Sequence, residues 1–230
     1  MNYLLLHIKM TIRSPRLRQS FIVYLLLSVF YFYLFSTKPG MIQAFPIRIS
    51  FLTVLFGFFP ITFNQFLYSA EASFFDHLMI TPNFKKILRA KYLLYVFFVA
   101  LSFCVSLFLF PLTWQSFMEL TAVLVYAAGT ISLFSFCSIL FVDTKIELFG
   151  SLYKTFGNTQ SAQALAMMLV YLLSTGLVVC VFWLFSPQIA IYFMLITGGI
   201  FILFRQKWFN YLHRCFFANK YEKMEIFRIQ

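Results

Sequence analysis

The chain has 230 residues, of which 62% are hydrophobic, 22% aromatic and only 11% charged, and its formal net charge is +11. Soluble domains carry about a quarter of their residues as Asp, Glu, Lys and Arg. This composition therefore excludes an ordinary soluble protein and points to an all-α, polytopic integral membrane protein.

A hydrocarbon core about 30 Å thick needs about 20 apolar residues per helix, so charged residues serve as boundaries between spans. Residues 1–16 read as a short amphipathic helix lying in the inner interface and stopped at Ser14-Pro15. Its polar stripe carries Asn2, Lys9 and Arg13, and the alternative is a plain cationic anchor for the first span. The apolar run that follows is long, rich in Tyr and Phe, and lacks a small-residue cleavage site, so it reads as a retained first span, 20–37. Arg48 and Glu71 enclose a second span, 49–70. Lys91 and Glu119 bracket a third, 92–112, closed by Pro111 and the polar Thr113, Gln115 and Ser116. A fourth, 120–142, ends before Asp143. No charge occurs between Lys154 and Arg205, and Ser186-Pro187-Gln188 divides that stretch into spans 164–185 and 189–204. Residues 205–230 form an amphipathic tail along the inner leaflet, with Trp208, Tyr211, Leu212, Cys215 and Phe216 on one face and Lys207, Asn210 and Arg214 on the other. The expectation is one membrane domain, 1–230, with six transmembrane helices.

Lysine and arginine concentrate on the cytoplasmic side of short loops. With the N-terminus inside, sixteen of the eighteen fall on inner segments, leaving Lys38 and Arg48 outside. Both termini are then cytoplasmic, and the expected location is the inner (cytoplasmic) membrane of the cell. The basic inner face suits anionic head groups, without any nucleic acid. Cys104, Cys137, Cys180 and Cys215 stand singly and imply no disulfide or metal framework.

The inner segment 71–91 is the most informative. On a wheel of about 100° per residue, Phe74, Phe75, Leu78 and Met79 gather on one side, with Ser73, Asp76 and His77 opposite. Glu71 falls within the apolar arc at the bilayer boundary. A charge deep in a membrane helix costs about 2.5–3.5 kcal/mol, so this acid is expected to be paired or functional. Thr81-Pro82-Asn83 breaks the helix, and Asn83 caps a second one that starts at Phe84. That helix carries Lys85, Lys86, Arg89 and Lys91 straight into the third span.

Ser69-x-Glu71, the apolar helix with Phe75 and Leu78, Thr81-Pro82, and Leu88-x-x-Lys91-Tyr92 together resemble the loop between the second and third helices of ABC type-2 permeases. The length, the six spans, the inward termini and the interfacial helix before the first span are similar too. The resemblance implies that the loop is a coupling helix seated on a separate ATPase subunit, with its glutamate beside the interface. The coupling residues would be Glu71, Phe74, Phe75, Asp76, Leu78, Met79, Pro82, Lys85, Lys86, Arg89 and Lys91. It further implies an exporter subunit that forms a homodimer or pairs with a similar subunit and moves an amphipathic or lipid-like substrate. The chain itself would be no enzyme and hold no cofactor, ATP being bound by the partner. Ser186 to Gln188 departs from the drug- and sterol-exporting branch, which has a large outer loop before the last helix.

No G-x-x-x-x-G-K-[ST] occurs, so the chain has no P-loop to cradle ATP phosphates. His7, His77 and His213 are too scattered for a metal-ligand spacing. Asp143 and Glu147, four residues apart, read as a solvated helix end or a second partner contact. Taken with His77 as catalytic groups, they define the alternative of a membrane enzyme acting on lipid at the inner face. A non-transporting anchor or assembly subunit is a third reading. Within the spans, Pro60, Thr62, Asn64 and Gln65, then Thr130, Ser132, Ser135 and Ser138, then Ser174, Thr175 and Gly176 are the notable small or polar positions. Such residues mediate helix packing; alternatively Pro60, Asn64 and Gln65 mark a translocation cavity or a dimer interface. The absence of an ionisable residue at any span centre argues against a proton- or sodium-coupled carrier.

Overall fold

The computed structural model describes residues 15–37, 44–66, 84–109, 113–137 and 162–218. These form six helices: α1 Pro15–Thr37, α2 Phe45–Phe66, α3 Phe84–Leu109, α4 Trp114–Ser135, α5 Ala162–Leu184 and α6 Pro187–Ala218. No strand occurs among the described residues. Among the described residues, three helices are long and apolar enough to cross a membrane: α3 over Lys85–Phe108, α4, and α6. The others carry shorter apolar stretches at Ile22–Tyr31, Phe45–Gly57 and Met168–Leu184.

Several boundaries differ from the sequence expectation for identifiable reasons. Pro15 opens α1, because a proline lacks only an N–H that the first helical turn leaves unused. The rest of the expected interfacial helix, residues 1–14, lies outside the described residues. α2 starts at Phe45, which puts Arg48 inside its first turn rather than ahead of it. α4 starts at Trp114, six residues before the expected span, because Thr113 caps it: the Thr113 Oγ1 accepts a hydrogen bond from the Ser116 N–H at 3.2 Å. Glu119 is thereby drawn into the helix. α3 begins at Phe84, as the sequence indicates, and the α5–α6 junction falls at Phe185-Ser186.

The largest departure is α6, a single helix of 32 residues, about 48 Å long at 1.5 Å per residue. The expected division between a span ending at 204 and a separate tail does not occur. Nothing after Arg205 breaks a helix, and buried Phe209, Leu212 and Phe216 continue the line of Met194 and Gly198 at helical spacing. Tyr211, expected on that apolar face, is instead 56% exposed.

α4 is the central helix, with 67% of its apolar window buried against 39% in α3 and 22% in α6. Around Leu120, Val123 and Tyr126 of α4 pack Ile49, Leu52 and Phe56 of α2, Tyr95 and Val99 of α3, Val178 of α5 and Met194 of α6. α1 leans on α2 through the Tyr31 and Phe51 rings, 4.9 Å apart, and on α3 through the Tyr24 hydroxyl, which donates to Ser102 Oγ at 2.8 Å.

Close approach at the centre depends on glycine. A Cβ on Gly129 would lie 2.1 Å from the Gly198 carbonyl oxygen, and one on Gly198 would lie 2.5 Å from the Val125 carbonyl oxygen. The backbones of α4 and α6 therefore touch, as small residues permit in apolar helix packing. At the same level α4 opens into a π turn at Ala127–Ile131, all five residues buried. Hydroxyls serve the carbonyls there: Tyr92 of α3 donates to Ala128 O at 3.2 Å, and Ser132 donates to Ala128 O and, at 3.1 Å, to Gly129 O. Tyr126 donates to Ser174 O of α5 at 2.9 Å. The hydroxylic positions singled out in the sequence are thus largely packing groups, whereas Gly176 has no atom within 4 Å of where its Cβ would stand.

The outward faces are apolar. Leu26, Val29 and Tyr33 of α1, Leu173 and Trp183 of α5, and Ile196 and Leu203 of α6 are each more than half exposed.

Candidate functional site

The described part of the expected coupling region is the start of α3. Ile87, Leu88 and Ala90 are buried there, while Lys85, Lys86 and Arg89 are exposed. Arg89 Nη2 donates to Gln206 Oε1 at 2.6 Å, which fixes this turn beside the part of α6 that follows Arg205. Further along α6, His213 stacks on Phe217 at 4.4 Å. Its pKa is lowered first by burial and then by the charge of Lys85. α3 and α6 are therefore antiparallel here, and their exposed cations, Lys85, Lys86 and Arg89 with Arg205, Lys207 and Arg214, collect at one end of the bundle. Lys91 departs from this group: it is fully buried, so it is no part of the exposed basic surface.

Behind the basic end lies an aromatic layer that ties α3 and α6 to the end of α4. Tyr92 meets Phe209 edge-on at 5.6 Å, and Phe209 meets Phe136 at 6.0 Å. Trp208 Nε1 donates to Leu133 O at 2.8 Å, a carbonyl in the last turn of α4, where intrahelical donors run out. Trp208 was read in the sequence only as an interfacial residue. Its role as a cap follows from α6 running on as one helix.

Glu71, Phe74, Phe75, Asp76, Leu78, Met79 and Pro82 lie outside the described residues, as do His7, His77, Asp143 and Glu147. The backbone of α2 is helical through Pro60 to Phe66; the side chains of Pro60, Asn64 and Gln65 lie outside the described residues. Among the described residues, no group of three or more His, Cys, Asp or Glu side chains could hold a metal ion.

At the other end of the bundle, where α2 and α4 both begin, sequence reasoning missed a polar cluster. Arg48 Nη2 donates to Glu119 Oε1 at 2.6 Å, and Gln115 Nε2 donates to the same oxygen at 3.3 Å. The Glu119 side chain is 2% exposed and that of Arg48 21%. Arg48 Nε is buried and makes no hydrogen bond. The sequence had used both charges as loop boundaries, although their opposite signs near the starts of two helices running the same way were a readable signal of pairing.

The model of a family of unknown function, DUF5687, matches residues 1–230, and the chain belongs to that family. No curated protein and no solved structure matches the chain.

Proposed function

We propose that this DUF5687 member is the membrane-spanning subunit of an ATP-driven exporter, energised by separate ATPase subunits on the cytoplasmic side. All six helices cross the inner membrane in this reading, with both termini in the cytoplasm, and two such subunits enclose a pathway for an amphipathic or lipid-like molecule. The apolar exposed faces of α1, α5 and α6 support the membrane setting, since a contiguous apolar surface of this extent is foreign to a soluble monomer.

The observation that carries the reading is α3, one unbroken helix of 26 residues from the exposed Lys85 and Lys86 to the buried Tyr95 and Val99 of the core. A push applied just before Phe84 would move this helix as a rod. In the proposal, Phe74, Phe75, Leu78 and Met79 dock into the ATPase, Glu71 and Asp76 orient the docked helix, and Pro82 stiffens the connection. Lys85, Lys86 and Arg89 flank the contact. Closure of the ATPase pair on ATP would then tilt α2 and α3 and open the pathway, a rigid-body mode of alternating access. The test is to co-purify the full chain with a P-loop ATPase encoded beside it, and then to replace Phe75 and Leu78 by Asp. Loss of association and of stimulated ATP hydrolysis is expected; retention of both would sink the coupling assignment.

A further inference from the structure

The exposed line of α6 through Ile196, Ile200, Phe204, Lys207, Tyr211 and Arg214 follows helical spacing and changes character within one turn. It is apolar down to Phe204 and cationic from Lys207 onward. At the change lies a surface hollow of about 270 Å³ lined by Phe201, Phe204, Lys207, Trp208 and Tyr211. Its wall is firmly held. Phe134 of α4 packs against Phe201 at 5.2 Å and Trp208 at 5.5 Å, and the indole N–H is already committed to Leu133 O. The Lys207 ammonium stands 5.0 Å above the Phe204 ring, a cation–π contact that keeps the charge at the rim.

We propose that this hollow binds an anionic phospholipid. The phosphodiester sits between the Lys207 ammonium and the Tyr211 hydroxyl, the glycerol lies against Trp208, and an acyl chain runs along Phe204, Ile200 and Ile196. Charge complementarity selects the anionic class. α6 contains no Asp or Glu, so the ammonium of a zwitterionic head group finds no carboxylate on it, whereas Lys207, the one cation lining the hollow, favours net negative charge. A free phosphate meets one exposed lysine in water and lacks the apolar part of the contact. The inference rests on the proposed membrane placement of α6 and not on any ATPase partner.

The experiment uses the full chain carrying Trp114→Phe and Trp183→Phe, both at exposed positions, so that Trp208 alone reports. Quenching of its fluorescence is measured in vesicles containing dibrominated phosphatidylglycerol or dibrominated phosphatidylcholine. The expected preference for phosphatidylglycerol is about fivefold, the factor one lysine contributes at an anionic surface. It should fall to about one in Lys207→Gln, persist in Lys207→Arg and in Arg89→Gln, and survive an excess of inorganic phosphate. Equal quenching by the two lipids in the parent would overturn the site while leaving the membrane reading intact. So would a loss of preference in Arg89→Gln as complete as in Lys207→Gln, which would mean a diffuse basic surface. Absence of quenching by either lipid would overturn both the site and the placement of α6 in the bilayer.

Discussion

Replacing Glu119 by Gln keeps the shape of the side chain and one acceptor oxygen but removes its charge, leaving the Arg48 guanidinium about four-fifths buried with no counter-ion among the described residues. Breaking a buried ion pair from one side typically costs about 3–5 kcal/mol. Arg48 keeps some contact with its surroundings, and Gln115 can reorient toward the new amide, so the lower end, about 3 kcal/mol, is expected. For a chain of this size each kcal/mol shifts the unfolding midpoint by about 2–4 °C, which predicts a loss of about 6–12 °C in detergent followed by tryptophan fluorescence. Arg48→Met should do comparable harm by stranding the carboxylate. The double variant Arg48→Met with Glu119→Gln should recover much of the loss, because neither charge is then left buried without its partner. The coupling energy of that cycle is expected to exceed about 2 kcal/mol. Additivity of the single effects within about 0.5 kcal/mol would refute the reasoning, showing that the two charges are solvated independently.

Gly129→Ala should destabilise by more than about 2 kcal/mol, since the added Cβ meets backbone rather than a yielding side chain. Gly199→Ala, with open space around its Cβ, should gain up to about 1 kcal/mol from helix propensity; thermal unfolding of the two variants checks the contrast. His213 should titrate below 6.5, and Lys85→Ala should raise its midpoint, read by NMR of ring carbons. With the folded value depressed, the unfolded chain binds more protons, so this residue's contribution to stability falls as pH drops from 6.5 through the folded midpoint. Trp208→Phe removes the donor to Leu133 O while keeping most of the ring area, and a loss of about 1 kcal/mol is expected.

What the sequence made legible were interruptions that act through the backbone. Pro187 marks the α5–α6 junction, because proline stops a preceding helix by geometry and is tolerated in the first turn of the next. Charge was a poorer boundary marker. Arg48 and Glu119 sit inside helices because each neutralises the other, and Arg205 failed to end α6 because a cation at a helix surface breaks no hydrogen bond. The position of α4 at the centre and the contact of Gly129 with Gly198 depend on which helices meet, which a single chain read linearly does not encode. Of the glycines, Gly176 of α5 was noted and proved unpacked, whereas Gly129 of α4 and Gly198 of α6, which set the spacing, were passed over. Of the basic lead-in to the third span, Lys85, Lys86 and Arg89 are exposed, whereas Lys91, grouped with them in the sequence, is buried.

The π turn of α4 gives that helix two angular frames. It inserts one residue without inserting a turn, so the side chains before Ala127 and those after Ile131 are out of step with a uniform α-helix. Deleting one residue from 127–131 would restore a uniform α-helix while leaving the facing of Glu119 relative to Leu133 nearly unchanged, because the π turn absorbs its extra residue locally. The mutual alignment of the Arg48–Glu119 pair at one end and the Trp208–Leu133 bond at the other is therefore kept with one residue more than a uniform α-helix would hold between them. Comparison of α4 with other helices by apolar periodicity must accordingly change phase at Ala127, treating its two halves as separately clocked segments of one rod.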